Sequence, residues 1–334
     1  MKSTFEAALR EKLQATGLVE GDTLQSLWSG YGTIRRYGVE GATVRSIIVK
    51  HVRPPSGAAE HPRGWNTERS HQRKLKSYEV ESAWYRTWSQ RCAVDCRVPE
   101  CYAVDAVGTE LYIALEDLDA AGFPGRLSSV TPAELALCVR WLAHFHATFL
   151  GVSPQGLWDV GTYWHLDTRP DELERMEGSS LRSAATSIDL LLRRARFQTF
   201  VHGDAKIANF CFARDRESVA AVDFQYVGGG CGMKDLIYLL GSCLSSEQCE
   251  ALEGRILTFY FGALAEALEV HHPDVDAAEV EREWRALYAP AWADFTRFLK
   301  GWSPDHWKLN RYAERLTDRT VASIQQLLAN AGVE

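Results

Sequence analysis

Nowhere in these 334 residues do about 18 apolar residues follow one another without a polar break, so the sequence offers no membrane-spanning helix. The opening MKSTFEAALREKLQATG mixes acids into an amphipathic helical pattern, unlike a secretory leader, and this points to a cytoplasmic protein. Paired Cys-x-x-Cys units are also missing. The eight cysteines stand apart at 92, 96, 101, 138, 211, 231, 243 and 249, which indicates neither a zinc finger nor a disulfide framework, and reduced buried thiols are expected. Cys92, Cys96 and Cys101 come nearest to a metal cluster, but no histidine or fourth cysteine stands at finger spacing. Basic charge is in deficit: 37 Lys and Arg against 44 Asp and Glu leave a formal net charge of -7, which argues against a nucleic-acid partner. No membrane partner is implied, internal repeats and low-complexity tracts are absent, and nothing in the pattern fixes an oligomeric state.

What is present is enough apolar content, 46%, to fill one large or two moderate cores, and the length suggests about two domains. The chain is organised around residues 200–232, FVHGDAKIANFCFARDRESVAAVDFQYVGGGCG. Two short apolar runs each end in an acid, one in His202-Gly203-Asp204 and the other in Asp223-Phe224-Gln225. Strand ends of this kind let side chains reach a ligand while the backbone stays anchored. Lys206 and Asn209 follow Asp204 at fixed spacing. Phosphoryl transfer needs this set of groups: a carboxylate to accept the proton of an attacking hydroxyl (Asp204), a carboxylate and an amide oxygen for Mg2+ (Asp223 and Asn209), and a cation for the moving charge (Lys206).

HGDAKIAN and VDFQ resemble the catalytic and metal loops of the kinase-like phosphotransferases, which include aminoglycoside phosphotransferases, choline kinases and ecdysteroid-kinase-like proteins. The likeness is greatest to the ecdysteroid-kinase-like group, because D-F-Q stands where protein kinases have D-F-G and His-Gly-Asp where they have His-Arg-Asp. It is strongest over 200–243, moderate at 44–50, 78–88 and 111–118, and poor elsewhere. The resemblance implies an α+β, bilobal protein-kinase-like fold, with a small antiparallel-sheet lobe over 1–117 that binds nucleotide and a larger, mainly helical lobe over 118–334 that carries catalysis and the acceptor. It implies ATP and Mg2+ as cofactors and a small-molecule alcohol as acceptor. A nucleotide-binding pseudokinase and a protein kinase are the alternatives; D-F-Q and the lack of a downstream A-P-E element count against the second.

Taken in order, residues 4–16 read as a helix, and 22–39 as strands around a hairpin containing Gly30 and Gly32, whose backbone could approach phosphate closely. Residues 43–49 form a β-branched strand that delivers Lys50 at its end, where a buried ammonium needs an acid or anion. The segment SYEVESAWYRTW carries an E-x-x-W-Y pattern similar to the acid-bearing helix of the family, which implies a Lys50–Glu81 ion pair aimed at the α and β phosphates, with Glu79 as the other candidate. Residues 53–76 read as a long connection whose basic part, HPRGWNTERSHQRKLK, is either a solvated loop or a lid near the phosphates. Two antiparallel strands flank Gly108; the second closes in Leu115-Glu116-Asp117-Leu118, which by resemblance is the hinge that meets the adenine edge, through Glu116 and Leu118. Thr131, Pro132 and Glu134 open a long helix carrying His144 and His146; its L-A-x-x-H-A run is similar to the family's, which implies that His146 braces the core or the catalytic loop. A further helix is expected at 181–197; Asp235 should begin an apolar helix, and the resemblance implies that it braces the catalytic-loop backbone. The remainder reads as helices over about 247–270, 276–300 and 306–330, with core aromatics Trp284, Tyr288, Trp292, Phe295 and Phe298.

Overall fold

The computed structural model describes residues 3–27, 30–54, 68–176 and 178–330. They fall into two compact units. The first comprises residues 1–126 together with 211–225, and the second 127–210 together with 226–334.

The first unit is built on a five-stranded antiparallel sheet: β1 (Gly17–Ser26), β2 (Gly32–Glu40), β3 (Ser46–Val52), β4 (Cys101–Val107) and β5 (Glu110–Glu116), in spatial order β1-β2-β3-β5-β4. Helix α1 (Ser3–Leu13) lays Phe5, Leu9 and Leu13, four residues apart, against Tyr37, Ile47, Val49 and Tyr112. Strand alternation then sends Lys50 and Val52 to the opposite face, where Val52 packs with Tyr31 and Tyr78. Lys50 lies inside β3, opposite Ile34 of β2 and Ile113 of β5, rather than at the strand's end, because β3 begins at Ser46 and runs on to Val52.

Helix α2 (Glu68–Ala83) begins earlier than the apolar pattern suggests and passes into a π-helical turn at Trp84–Trp88. Residues 68–76, read from sequence as part of a long connection, are its first turns. ERSHQRKLK is rich in Glu, Arg, Gln, Lys and Leu, all strong helix formers, and needs no apolar stripe to be helical once packing anchors the end of the helix. His71 in this stretch meets the Tyr31 hydroxyl at 2.5 Å. Residues 61–67 of the basic segment, Trp65 included, lie outside the described residues.

Residues 211–225 close the first unit. The short hairpin β7 (Phe210–Phe212) and β8 (Val219–Ala221) joins the main-chain pair Gly125–Phe212, and Cys211 and Ala220 pack on Leu118. Phe224 is fully buried and stacks on Trp84 with ring centroids 4.4 Å apart.

In the second unit, α3 (Pro132–Thr148) starts with a complete capping box between Thr131 and Glu134 and with Pro at its first position, as the sequence indicates. It is followed by α4 (Pro170–Arg175), α5 (Ser180–Arg193), β6 (Thr199–Val201), β9 (Gly228–Gly230), α6 (Met233–Cys243), α7 (Ser246–His271), α8 (Ala277–Trp302) and α9 (Arg311–Asn330). β6 and β9 pair antiparallel and set the loop that follows β6. The α8 aromatics are core residues: Trp284, Tyr288, Trp292, Phe295 and Phe298 are all buried. Among the described residues no helix is long and apolar enough to cross a membrane.

Candidate active site

In the first unit, the Lys50 ammonium lies 2.6 Å from the Glu81 carboxylate, and both side chains are buried. The choice between the two candidate acids is settled by helix phase. Glu81 shares the inward face of α2 with Ser77 and Tyr78, whereas Glu79 is exposed and faces Lys76 at 3.7 Å. Burial raises the Glu81 pKa, and the neighbouring Lys50 charge works against that rise. Asp223 comes within 4.0 Å of the same ammonium. It has φ +72, a left-handed backbone that Asp tolerates better than most residues.

Gln225 ties these groups together. Its amide nitrogen donates to Asp223 at 2.8 Å, and its amide oxygen accepts from Lys74 at 3.3 Å and Ser77 at 3.2 Å. The glutamine of D-F-Q therefore fastens the acid to α2, a contact that glycine at this position could not make. Lys74 rests 4.9 Å from the centroid of Tyr78, and Lys50 lies 5.4 Å from the same ring. Burial, followed by repulsion from Lys50, lowers Lys74 to about 8.

The remaining nucleotide-side candidates also lie in the first unit. Gly32 has φ +132, and a Cβ there would come within 1.9 Å of the His51 carbonyl, so the close strand approach requires glycine. The Gly30 N–H closes the turn on the Leu27 carbonyl at 3.2 Å. The Glu116 carboxylate pairs with Arg97 at 2.6 Å and accepts the Glu100 N–H at 3.0 Å, while the Leu118 carbonyl accepts from Phe123 at 2.7 Å.

In the second unit, β6 runs into His202-Gly203-Asp204. Gly203 has φ +80, and a Cβ on it would meet the Tyr226 carbonyl at 2.0 Å. The buried Asp235, in the first turn of α6, accepts the N–H of His202 at 2.5 Å and of Gly203 at 3.0 Å. It also meets His146 Nε2 at 3.1 Å, while His146 Nδ1 meets the Tyr260 hydroxyl at 2.7 Å. One neutral tautomer, with the proton on Nε2, satisfies both contacts. The expected brace is thus a chain running Tyr260, His146, Asp235 and the loop backbone. This loop presents Asp204, whose Oδ2 accepts from Lys206 Nζ at 2.8 Å and Asn209 Nδ2 at 3.1 Å. Asn209 Nδ2 also donates to the Asp204 carbonyl at 2.8 Å, which turns the Asn209 amide oxygen away from Asp204.

Around this loop stand groups that the sequence pattern does not single out. The Tyr238 hydroxyl donates to Tyr163 at 3.2 Å and is near enough to Asp204 to feel its charge. Burial and then the Asp204 charge raise its pKa, so it stays protonated. Lys308, in the turn between α8 and α9, lies 4.5 Å from the centroid of Tyr238. No spacing marks it, because the turn has no periodicity.

Asp204, Lys206 and Asn209 therefore come together in the second unit, and Lys50, Glu81 and Asp223 in the first; Asn209 and Asp223, read as a metal pair, belong to different units. Among the described residues no three His, Cys, Asp or Glu side chains form a self-sufficient metal cluster. A carboxylate and an amide oxygen do suit Mg2+, a hard cation usually held by one or two protein oxygens together with phosphate and water. Cys92, Cys96 and Cys101 form no disulfide, and burial raises the first and third of them.

Residues 161–272 match the family model described as the ecdysteroid kinase-like family. No curated protein sequence matches significantly. Among solved structures, choline kinase from Cryptosporidium parvum Iowa II is 10% identical and aligns over 98% of this chain and 96% of its own, with a TM-score of 0.53. Ethanolamine kinase from Plasmodium vivax is 10% identical over 92% of this chain and 82% of its own, with a TM-score of 0.48. The GDP complex of aminoglycoside 2'-phosphotransferase-IIIa is 11% identical over 96% and 98%, with a TM-score of 0.47. The family match spans both motifs on which the sequence resemblance rests, and the choline kinase superposition gives the chain the protein-kinase-like α+β fold.

Proposed function

We propose that this protein transfers the γ-phosphoryl group of ATP to a hydroxyl of a small molecule. The observation that supports this most is the presentation of Asp204: its loop is fixed from behind by Asp235, and its carboxylate is oriented by Lys206 and Asn209. A rigidly held carboxylate suits a reaction whose catalysis is mainly positioning and charge neutralisation. The acceptor oxygen forms its bond to the γ phosphorus while the bond to the bridging oxygen of ADP breaks, and the acceptor proton passes to Asp204. Lys206 meets the charge on the transferring group. Lys50, held by Glu81, anchors the α and β phosphates; the Gly30–Gly32 hairpin covers them, and the backbone at Glu116 and Leu118 meets the base. Mg2+, which Asp223 and Asn209 would hold, would supply neutralisation of phosphate charge. Free thiols and the lack of a membrane-crossing helix among the described residues suit a cytoplasmic location.

An ADP-release screen across amino alcohols, aminoglycosides, sugars and steroids tests this. Acceptor-dependent release that disappears in Asp204→Asn is expected. ATP binding without acceptor-dependent turnover for any class would leave a nucleotide-binding regulator as the function instead.

A further inference from the structure

The second unit holds a cation that its own acids do not neutralise. The Lys308 ammonium is half-buried among the rings of Tyr238, Trp307 and Phe295, at 4.5, 5.6 and 5.7 Å from their centroids. Among the described residues no carboxylate comes within salt-bridge distance of it. The buried acids among the described residues of this unit are engaged elsewhere. Asp294 holds Arg297 and Lys234, Asp189 holds His165 and Arg193, Glu172 holds Arg169, and Asp235 holds His146. Asp204 already has Lys206. Lys308 therefore stands on the Tyr238 ring with no carboxylate paired to it among the described residues.

A surplus cation set in aromatic surroundings beside the proposed base is the wrong electrostatics for a choline-like or aminoglycoside-like acceptor, which needs acids. It is the right electrostatics for an anion. We propose, given the phosphotransferase reading above, that the acceptor is an anionic hydroxy compound whose carboxylate or phosphate is taken by Lys308 while its hydroxyl lies at Asp204. The aromatic rings supply the apolar wall for its frame. Lys308 also lies below its ordinary pKa, at about 8: burial lowers it, the Asp204 charge opposes that, and Lys206 adds to it. A cation short of counter-charge behaves in this way.

The test uses matched acceptors that share one hydroxyl-bearing frame and differ only in charge, on aryl, alicyclic and linear frames. Each frame carries a carboxylate, a phosphate monoester, an uncharged amide or an ammonium group; 4-hydroxyphenylacetate, its amide and tyramine are one such series. ADP release and quenching of tryptophan fluorescence are read for the full-length protein, Lys308→Gln and Lys308→Arg. The expected result is preference for the anionic member on at least one frame. Loss of the charged contact in Lys308→Gln should lower its kcat/KM about 10- to 100-fold, with KM for ATP within about twofold of the unaltered protein. Lys308→Arg should restore part of the loss. The carboxylate and phosphate arms separate the two kinds of anion. Preference for the ammonium or amide members, or no anion preference on any frame, overturns the proposal even if turnover is robust. A rise in KM for ATP alone also overturns it, by assigning Lys308 to the nucleotide. Anion binding that depends on Lys308 but proceeds without turnover would instead sustain the inference and remove the phosphotransferase reading.

Discussion

Replacing Asp235 with Asn isolates the support of the His202–Asp204 loop from the chemistry proposed for it. The carboxylate is buried and receives three donors: the N–H groups of His202 and Gly203, at 2.5 and 3.0 Å, and His146 Nε2, at 3.1 Å. His202 and His146 share Oδ2, while Gly203 uses Oδ1. An asparagine fits the same space but has one oxygen. Its better orientation keeps that oxygen on His202 and His146 and sets its NH2 against the Gly203 N–H, donor facing donor. One buried N–H left unsatisfied costs about 1–3 kcal/mol, and weaker acceptance by a neutral amide adds roughly 1 more. The variant should therefore lose about 2–4 kcal/mol in urea denaturation followed by tryptophan fluorescence. Hydrogen exchange should show the Gly203 amide losing protection more than that of His202. Turnover should fall while ATP binding persists, because Asp204 is carried by the destabilised loop. A variant within about 0.5 kcal/mol of the parent, with both amides equally protected, would refute the brace.

Four further outcomes follow from the same geometry. Asp204→Asn should lower turnover by about 10² to 10⁴ and leave Mg-ATP affinity nearly intact by calorimetry, the usual effect of removing a positioned base; undiminished turnover would defeat the assignment. Asp223→Ala should weaken Mg-ATP binding, and unchanged affinity would count against it as a metal ligand. Lys50→Met strands Glu81 in the core and should cost about 3–5 kcal/mol; Glu81 then takes a proton more readily, so the loss should shrink as pH falls, and Lys50→Met with Glu81→Gln should recover part of it. Lys74 has a folded-state pKa of about 8, below its ordinary 10.5. Between these values the unfolded chain binds the extra proton, so stability should rise with pH across that window, and Lys74→Met should flatten the rise; an identical slope in both proteins would overturn this.

Much of the architecture is legible in local pattern. Strand alternation with Gly108 at the turn marks β4 and β5, Thr131, Pro132 and Glu134 mark the start of α3, and the three- and four-residue recurrence of aromatics marks the buried face of α8. The acids at 204 and 223 stand out because an apolar run leads into each. What escapes the pattern depends on distance along the chain. The start of α2 is almost entirely polar, so its helicity rests on propensity and on packing by Leu75 and Tyr78. Choosing Glu81 over Glu79 needs the helix phase, which is fixed only by burial of Tyr78 and Ser77. That Gln225 should bridge Asp223 to Lys74 and Ser77 is invisible in sequence, since its partners lie about 150 positions away. Lys308 shows no local sign because its neighbours come from α6 and α8.

The Trp84–Phe224 stack sets an order of events during synthesis. A ribosome has already released the sheet, α2 and all of 127–210 before it makes the ring that covers Trp84. Until then the N-terminal part of the nascent polypeptide carries an unfinished apolar seam. Its completion waits on a hairpin encoded far downstream, so this part of the protein matures late although it is translated first.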